Sequence, residues 1–346
     1  MTRRKTNKEL LISVAFFLFF SLFYMGIRMI FTSTDNLSDY NGPSQSLFNL
    51  RIPKDLHFAG EAIPRNDYSI KENMEKVFHG GNFEKSTAFV LFSRASSWFP
   101  LIERILKRNN IPDDFKYVAL AESRLTNSTS PQGAVGFWQF VGSTGSHYGL
   151  EINSEVDERY HVEKSTEAAC RFFRDAYKKF KNWTLVAAAY NLGMGGVESH
   201  IKKQGTGNYY DLMMNRETSL YIYRILALKT VFMNSGKKFM GGVNIYNTPG
   251  IIFKTDSSIV DLEAFAKSKG CNLEILKTLN PWLVGNSLSN PDKRTYSIKL
   301  PGKDRLNKFA AIKADTVKLI PDTVQIKALP PDTLLAVPDT GKENKK

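Results

Sequence analysis

A mainly α-helical fold followed by a small βααβ unit is predicted by three observations. Between residues 67 and 233 apolar residues recur at helical spacing, and no strand-like alternation of comparable length interrupts them. After a Gly-containing break at GKKFMGG, residues 236–242, two short β-prone runs bracket two short helical patterns. The chain ends differ from both regions, with an uncharged apolar run near the start and recurring Pro-Asp-Thr triplets near the finish. The 346 residues are 42% hydrophobic and 23% charged, which fits about two domains and excludes a disordered or fibrous chain.

In chain order, residues 1–9 form a basic head with Arg3, Arg4, Lys5 and Lys8. The run LLISVAFFLFFSLFYMGI, residues 10–27, carries no charge and extends through Arg28 to Phe31. Eighteen helical residues reach about 27 Å, close to the roughly 30 Å of a bilayer core. Residues 10–31 therefore read as a transmembrane anchor or uncleaved signal, with the head kept in the cytoplasm by its positive charge. A cleaved signal peptide fits less well, because no small-x-small site follows the run. Residues 32–66, rich in Ser, Asn, Asp and Pro, read as a tether and an irregular approach.

A helical lead-in is expected over 67–110, with helical spacing at Glu72–Phe78 and Lys85–Asn109, and Pro100 is expected to kink or divide the second segment. The catalytic candidate spans 111–235: Ile111-Pro112-Asp113-Asp114 opens a helix with Glu122 near its end, and Glu163–Phe180, Leu185–Tyr190 and Glu217–Met233 continue the pattern. Short helical or turn segments fill 136–150, and Gly193 to Gly196 read as a turn. The module at 250–302 has strands from Ile251 and over Tyr296–Leu300, with helices over Val260–Ser268 and Leu273–Leu279 between them. Residues 303–346 read as a low-complexity extension.

Lys and Arg number 47 against 34 Asp and Glu, a net charge of +13, so polyanions are the expected partners. Nucleic acid is not expected, since no finger, basic zipper or stacking-platform signature accompanies the charge. Cys170 and Cys271 read as buried free thiols rather than a disulfide framework. The five scattered histidines lack zinc-helix spacing, so no metal and no cofactor is expected.

The chemistry-bearing residues cluster in three segments. Glu122 interrupts the apolar and small stretch VALAESRL, where a desolvated carboxyl would hold its proton at neutral pH. GAVGFWQF follows, with Gly136, Trp138 and Gln139, and then AAYNLG with Tyr190 and Asn191; Glu217 and Tyr221 lie on the last helical segment. Small residues permit close backbone approach, while the amides and the phenol supply fixed donors and acceptors, a set suited to a carbohydrate groove.

These segments resemble the membrane-bound lytic murein transglycosylases of the D type, with a goose-lysozyme-like catalytic domain. ALAESRL is similar to the family's Glu-Ser signature, GAVGFWQF to its Gly-x-x-Gly-x-Trp-Gln-Phe segment, and AAYNLG to its Ala-Tyr-Asn-x-Gly segment. The resemblance implies that Glu122 is the catalytic acid/base. It also implies that Ser123, Gln139, Tyr190, Asn191, Glu217 and Tyr221 bind or position substrate, and that Gly136 and Trp138 support the site. The implied reaction cleaves the β-1,4 bond between N-acetylmuramic acid and N-acetylglucosamine, leaving 1,6-anhydromuramyl ends. The expected partners are peptidoglycan strands, the membrane through the anchor, and wall-synthesis or remodelling proteins. The expected location is the periplasm, held at the inner rather than the outer membrane.

Residues 250–302 resemble a divergent lysin-motif (LysM) domain, with Asn280-Pro281 at its asparagine-proline turn and Thr255-Asp256-Ser257-Ser258 where Gly-Asp-Thr is usual. Two alternatives remain at this point. A lysozyme-like hydrolase would need a second carboxylate, for which Asp157 and Glu217 are the candidates. A non-catalytic peptidoglycan-binding tether would need only the anchor, the charge and the terminal module.

Overall fold

The computed structural model describes residues 53–64, 68–80, 85–239 and 250–302. The expected head, most of the tether and the C-terminal extension lie outside these residues. The anchor expectation is corrected, and with it the membrane partner and the inner-membrane location. No helix among the described residues is long and apolar enough to cross a membrane, and residues 10–31 are not among them. The long helices that are described are amphipathic: Lys85–Arg108, for example, carries Arg94, Glu103, Arg104, Lys107 and Arg108 within its length.

The described chain is predominantly helical and ends in a small β-containing module. A two-residue-stranded hairpin, β1 (His57–Phe58) and β2 (Glu61–Ala62), comes first, pairing Phe58 with Glu61. This hairpin lies within the stretch expected to be irregular. Its two-residue strands are too short to show alternation, and tertiary partners hold it. Phe58 is fully buried against Phe115, Ala59 N–H donates to Asp114 at 2.7 Å, and buried Lys229 bridges the His57 carbonyl and the Asp114 carboxylate.

The helices are α1 (Tyr68–Gly80), α2 (Lys85–Arg108), α3 (Lys116–Ser123), α4 (Gly142–His147), α5 (Val162–Phe180), α6 (Trp183–Leu192), α7 (Met194–Gln204) and α8 (Arg216–Phe239). One helix, α2, runs through Pro100, where a division was among the expected outcomes. Apolar residues on both sides, Phe92 and Ala95 before it and Phe99, Ile102 and Leu106 after it, are buried. That burial outweighs the cost of one missing backbone hydrogen bond.

At the centre lies α6, with every residue from Thr184 to Ala189 buried and with α5, α7 and α8 packed around it. Its three consecutive alanines keep those neighbours close. Its amino terminus is capped twice: Asn182 accepts from Leu185 N–H at 2.8 Å, and Glu61 of the hairpin accepts from the N–H groups of Trp183 and Thr184. The Gly193 region, expected as a turn, is the link into α7, a helix whose weak apolar pattern hides it in the sequence.

The module pairs β3 (Ile251–Thr255) antiparallel with β4 (Tyr296–Leu300) around α9 (Leu262–Ser268) and α10 (Leu273–Leu279), the expected βααβ order. Asp261 and Asn272 cap the two helices. Buried Asn280 donates to the carbonyls of Leu276 and Lys299 and accepts from Lys299 N–H, tying the α10 end to β4. The core around Leu262, Leu276, Trp282 and Ile298 also includes Val156 from the preceding helical region. Asp157 N–H donates to the Trp282 carbonyl at 2.9 Å, and Glu155 receives bonds from Ser287 and Ser289. The module is thus seated on the helical region through the segment before α5.

Candidate functional site

The helix α3 delivers Glu122 at its penultimate position and ends at Ser123 because Arg124 adopts a left-handed conformation, φ 54°. Ser123 is buried, and its hydroxyl donates to the Phe137 carbonyl at 2.9 Å. It therefore joins the end of α3 to the next segment rather than facing open solvent.

That segment folds back through a tight turn. Gly136 has φ 80°, and a side chain there would bring Cβ to 2.1 Å from the Arg159 carbonyl oxygen, so only glycine fits. Trp138 is fully buried and donates from Nε1 to Thr166 on α5 at 2.8 Å. Gln139, at φ 50°, donates from its amide to the carbonyls of Gly136 and Ser128. Gly136 and Trp138, expected as supporting residues, are placed in the turn and against α5 respectively. Gln139 also braces the turn, with its amide nitrogen engaged by backbone.

Tyr190, near the end of α6, donates to the Trp138 carbonyl at 2.6 Å and packs among Phe140, Phe172 and Phe173. Asn191 beside it donates to Glu217 at 2.9 Å and accepts from Thr218 at 2.7 Å. Thr218 is fully buried, and sequence reasoning missed its part here; its place beside Glu217 was the available signal. On α8, Glu217, Tyr221 and Arg224 recur at helical spacing on one face. The Tyr221 hydroxyl donates to Glu122 Oε1. Tertiary contact thus links Glu122 to Tyr221, Asn191 to Glu217, and Tyr190 to the Gly136–Gln139 turn.

Burial drives the electrostatics. Desolvation pushes the Glu122 carboxyl up to about 7; the hydrogen bond from Tyr221 opposes this, Glu217 adds to it, and Arg224 opposes it. The Tyr190 and Tyr221 phenols are held well above their ordinary value, first by burial and then by the charge of Glu122, so both stay protonated donors. The other carboxylate considered, Asp157, is engaged elsewhere: it takes a forked pair from the Arg159 guanidinium and caps the Arg159 N–H. Arg159 in turn donates to the carbonyls of Gly133 and Phe140, bracing the same turn from behind.

Residues 99–213 match the family model described as Transglycosylase SLT domain. This chain carries an SLT domain. Residues 252–304 match the model described as Soluble lytic transglycosylase C-terminal LysM-like domain, so the SLT domain is followed by a LysM-like module. Over 258 residues, 72% of its length, the chain is 30% identical to Membrane-bound lytic murein transglycosylase D of Escherichia coli strain K12 and, to the same extent, of strain CFT073. The chain spans about half the length of these curated relatives, the match covering 55% of each. The matched SLT segment contains Glu122, the Gly136–Gln139 turn, Tyr190 and Asn191, whereas Glu217 and Tyr221 lie just beyond it on α8. Among the described residues no group of His, Cys, Asp and Glu could hold a metal ion.

Proposed function

We propose that this chain is a peptidoglycan lytic transglycosylase, with Glu122 as its single catalytic acid and base. The observation that carries this reading is a half-buried carboxyl held near pKa 7 by desolvation while a phenol fixes its orientation. A group with that pKa exists in both protonation states at neutral pH, so it can give a proton and then take one back.

In the first step the protonated Glu122 donates to the glycosidic oxygen between N-acetylmuramic acid and N-acetylglucosamine. The C1–O bond breaks, and the muramyl 2-acetamido oxygen covers the electron-poor C1. In the second step the Glu122 carboxylate removes the proton from the muramyl C6 hydroxyl. O6 attacks C1, the acetamido group is released, and a 1,6-anhydro ring closes. Glu122 ends protonated, no water is consumed, and the reaction is a lyase reaction.

In this reading Tyr221 orients Glu122, and Asn191 and Glu217 meet the sugar from the α8 side. Gln139 and Tyr190 set the opposite wall through the turn they brace, and Ser123 fixes the end of the helix that carries Glu122. In the same reading the catalytic domain occupies 111–235, preceded by the lead-in at 67–110 and followed by the module at 250–302. A hydrolase would require a second carboxylate as nucleophile or base. Asp157 is tied to Arg159 and Glu217 accepts from Asn191; this reading assigns Glu217 to binding the sugar and the nucleophile's part to the substrate's own acetamido group.

Digestion of purified sacculi in ¹⁸O-labelled water tests the reaction. Mass spectrometry is expected to find anhydromuramyl ends without label. Reducing muramyl ends carrying ¹⁸O would replace the proposal with a muramidase, and binding without soluble products would leave a tether.

A further inference from the structure

Residues 151–159 form a hairpin-like finger that lies within the SLT segment of the sequence but is held from both domains. The finger closes on itself. Glu158 N–H donates to the Glu151 carbonyl at 2.8 Å, Glu151 N–H donates to the Glu158 carboxylate at 3.0 Å, and the Asn153 side-chain oxygen accepts from the N–H groups of Glu155 and Val156. Tied at base and tip, it passes a displacement of one side on to the other.

The module grips the outer side. Val156, 1% exposed, lies in the module's core with Leu262, Leu276 and Leu288. The Glu155 carboxylate accepts from the Ser287 hydroxyl and from Ser289 N–H, and the Glu155 carbonyl accepts from the N–H groups of Val284 and Gly285 at 3.0 Å each. At the base, the Tyr296 hydroxyl donates to the Glu151 carboxylate. The fit leaves no slack: a side chain at Gly285 would put Cβ 2.7 Å from Glu155 Cα and 3.1 Å from the Ser154 carbonyl oxygen. Both are backbone atoms, which cannot swing aside. The backbone at Gly285 is not left-handed, so this approach alone excludes a side chain there.

The inner side of the same finger braces the catalytic turn. Asp157 is where the two sides meet, since its N–H donates to the Trp282 carbonyl of the module at 2.9 Å while its carboxylate grips the Arg159 guanidinium. Arg159 donates to the carbonyls of Gly133 and Phe140, and its own carbonyl occupies the space that a side chain at 136 would need. The Phe137 and Trp138 carbonyls of that turn accept from Ser123, next to Glu122, and from Tyr190. An unbroken series of printed-length hydrogen bonds and close contacts thus runs from the module to the end of the helix that carries Glu122. Capturing glycan alone would ask for no such joint, because a module on a flexible linker would serve.

We propose that the LysM-like module is a positioning element of the catalytic site, holding the 151–159 finger so that Arg159 keeps the Gly136–Gln139 turn, and with it Ser123 and Tyr190, in register with Glu122. The proposal rests on the catalytic reading above and gives the module a part in turnover rather than in substrate capture. A misplacement of about 1 Å far from the reacting atoms can cost about 100-fold in rate, so a joint of this kind is worth building.

The test uses the full chain with two substitutions in the module. Gly285→Ala wedges the joint open, and Ser287→Ala deletes one donor to Glu155 and adds no bulk. At a temperature where circular dichroism shows each variant folded, two things are measured: kcat and KM on soluble, uncrosslinked peptidoglycan strands, and amide hydrogen exchange. Gly285→Ala is expected to lower kcat about tenfold with KM held within about twofold. Its Gly136 and Gln139 amides, which donate to the Ser128 and Gly136 carbonyls, should exchange about tenfold faster, and the Val186 amide of α6 by a smaller factor. Ser287→Ala should move the same quantities by about threefold. A rise in KM at constant kcat would make the module a glycan-capture device and overturn the proposal. An equal factor at Val186 and in the turn would reduce the effect to lost global stability, and unchanged kcat with unchanged turn amides would break the connection; either result overturns it too. If Gly285→Ala does not fold, Ser287→Ala decides on the same measurements. Exchange needs no turnover, so a parent chain that leaves no anhydro ends would reject the catalytic reading while faster exchange in the turn still showed the module holding it.

Discussion

Glu122 and Asp157 are two carboxylates within one helical region, and their surroundings give them different partners. Asp157 has the Arg159 guanidinium in fork geometry against it and accepts from the Arg159 backbone N–H, so its charge is matched in place. Glu122 receives one phenol, and the nearest charges acting on it, Glu217 and Arg224, oppose each other. Burial with a cation gives a brace; burial with only a neutral donor gives a carboxyl that exchanges its proton near neutrality. The two are mechanically joined, because Arg159, held by Asp157, supports the Gly133 and Phe140 carbonyls of the turn that Tyr190 and Gln139 also hold.

Removing the ionisable group from the reactive member should have the largest effect. Glu122→Gln keeps an acceptor for Tyr221 but cannot carry a proton, so turnover on sacculi is expected to fall by at least roughly 10³-fold with binding retained. The same substitution should stabilise the fold above neutrality. With the folded pKa near 7 and the ordinary value at 4.5, the folded chain holds more protons than the unfolded chain between those values, so stability falls as pH rises through that window. Glu122→Gln removes this dependence: its Tm should exceed the parent's at pH 8 and match it at pH 4, as calorimetry at both pH values would show.

Disrupting the brace comes next. Asp157→Ala leaves the Arg159 guanidinium, which is 12% exposed, without its carboxylate, and a loss of about 3 kcal/mol is expected in denaturant unfolding. Activity should decline with it, through the turn rather than through the chemistry.

Changing Tyr221 sharpens the contrast without erasing it. Tyr221→Phe removes the hydrogen bond that lowers the Glu122 pKa, so that pKa should rise further above 7. The alkaline limb of the rate against pH should move to higher pH while the maximum rate falls roughly tenfold. An unmoved limb would show that Tyr221 acts only in packing. The smallest effect is expected for Thr218→Val, which deletes the donor to the Asn191 carbonyl and should cost about threefold in kcat/KM with little change in Tm.

The fold class and the residues of the candidate cluster stood out in the sequence more fully than the brace did. Glu122, Gln139, Tyr190 and Asn191 sit in short segments where polar residues break an apolar or small background, and such interruptions are visible one residue at a time. Asp157 and Arg159 are common surface types in a loop without periodicity, and nothing local marks them as buried. The β1–β2 hairpin escaped for a related reason: its structure depends on Glu61 capping a helix more than 120 residues away and on Lys229 reaching its carbonyl, contacts that local spacing does not encode. Pro100 predicted a break or kink from backbone chemistry alone, and the paired apolar faces on either side keep one helix assigned through it. The βααβ module was legible because its two β-prone runs, the helical patterns between them and its Asn280-Pro281 turn are all local signals.

A ¹³C NMR titration of the Glu122 side-chain carboxyl tests most directly whether desolvation makes Glu122 the proton carrier. The midpoint for Glu122 is expected near pH 7, moving upward in Tyr221→Phe. A midpoint near 4.5, unchanged by Tyr221→Phe, would contradict the proton-carrying role assigned to Glu122.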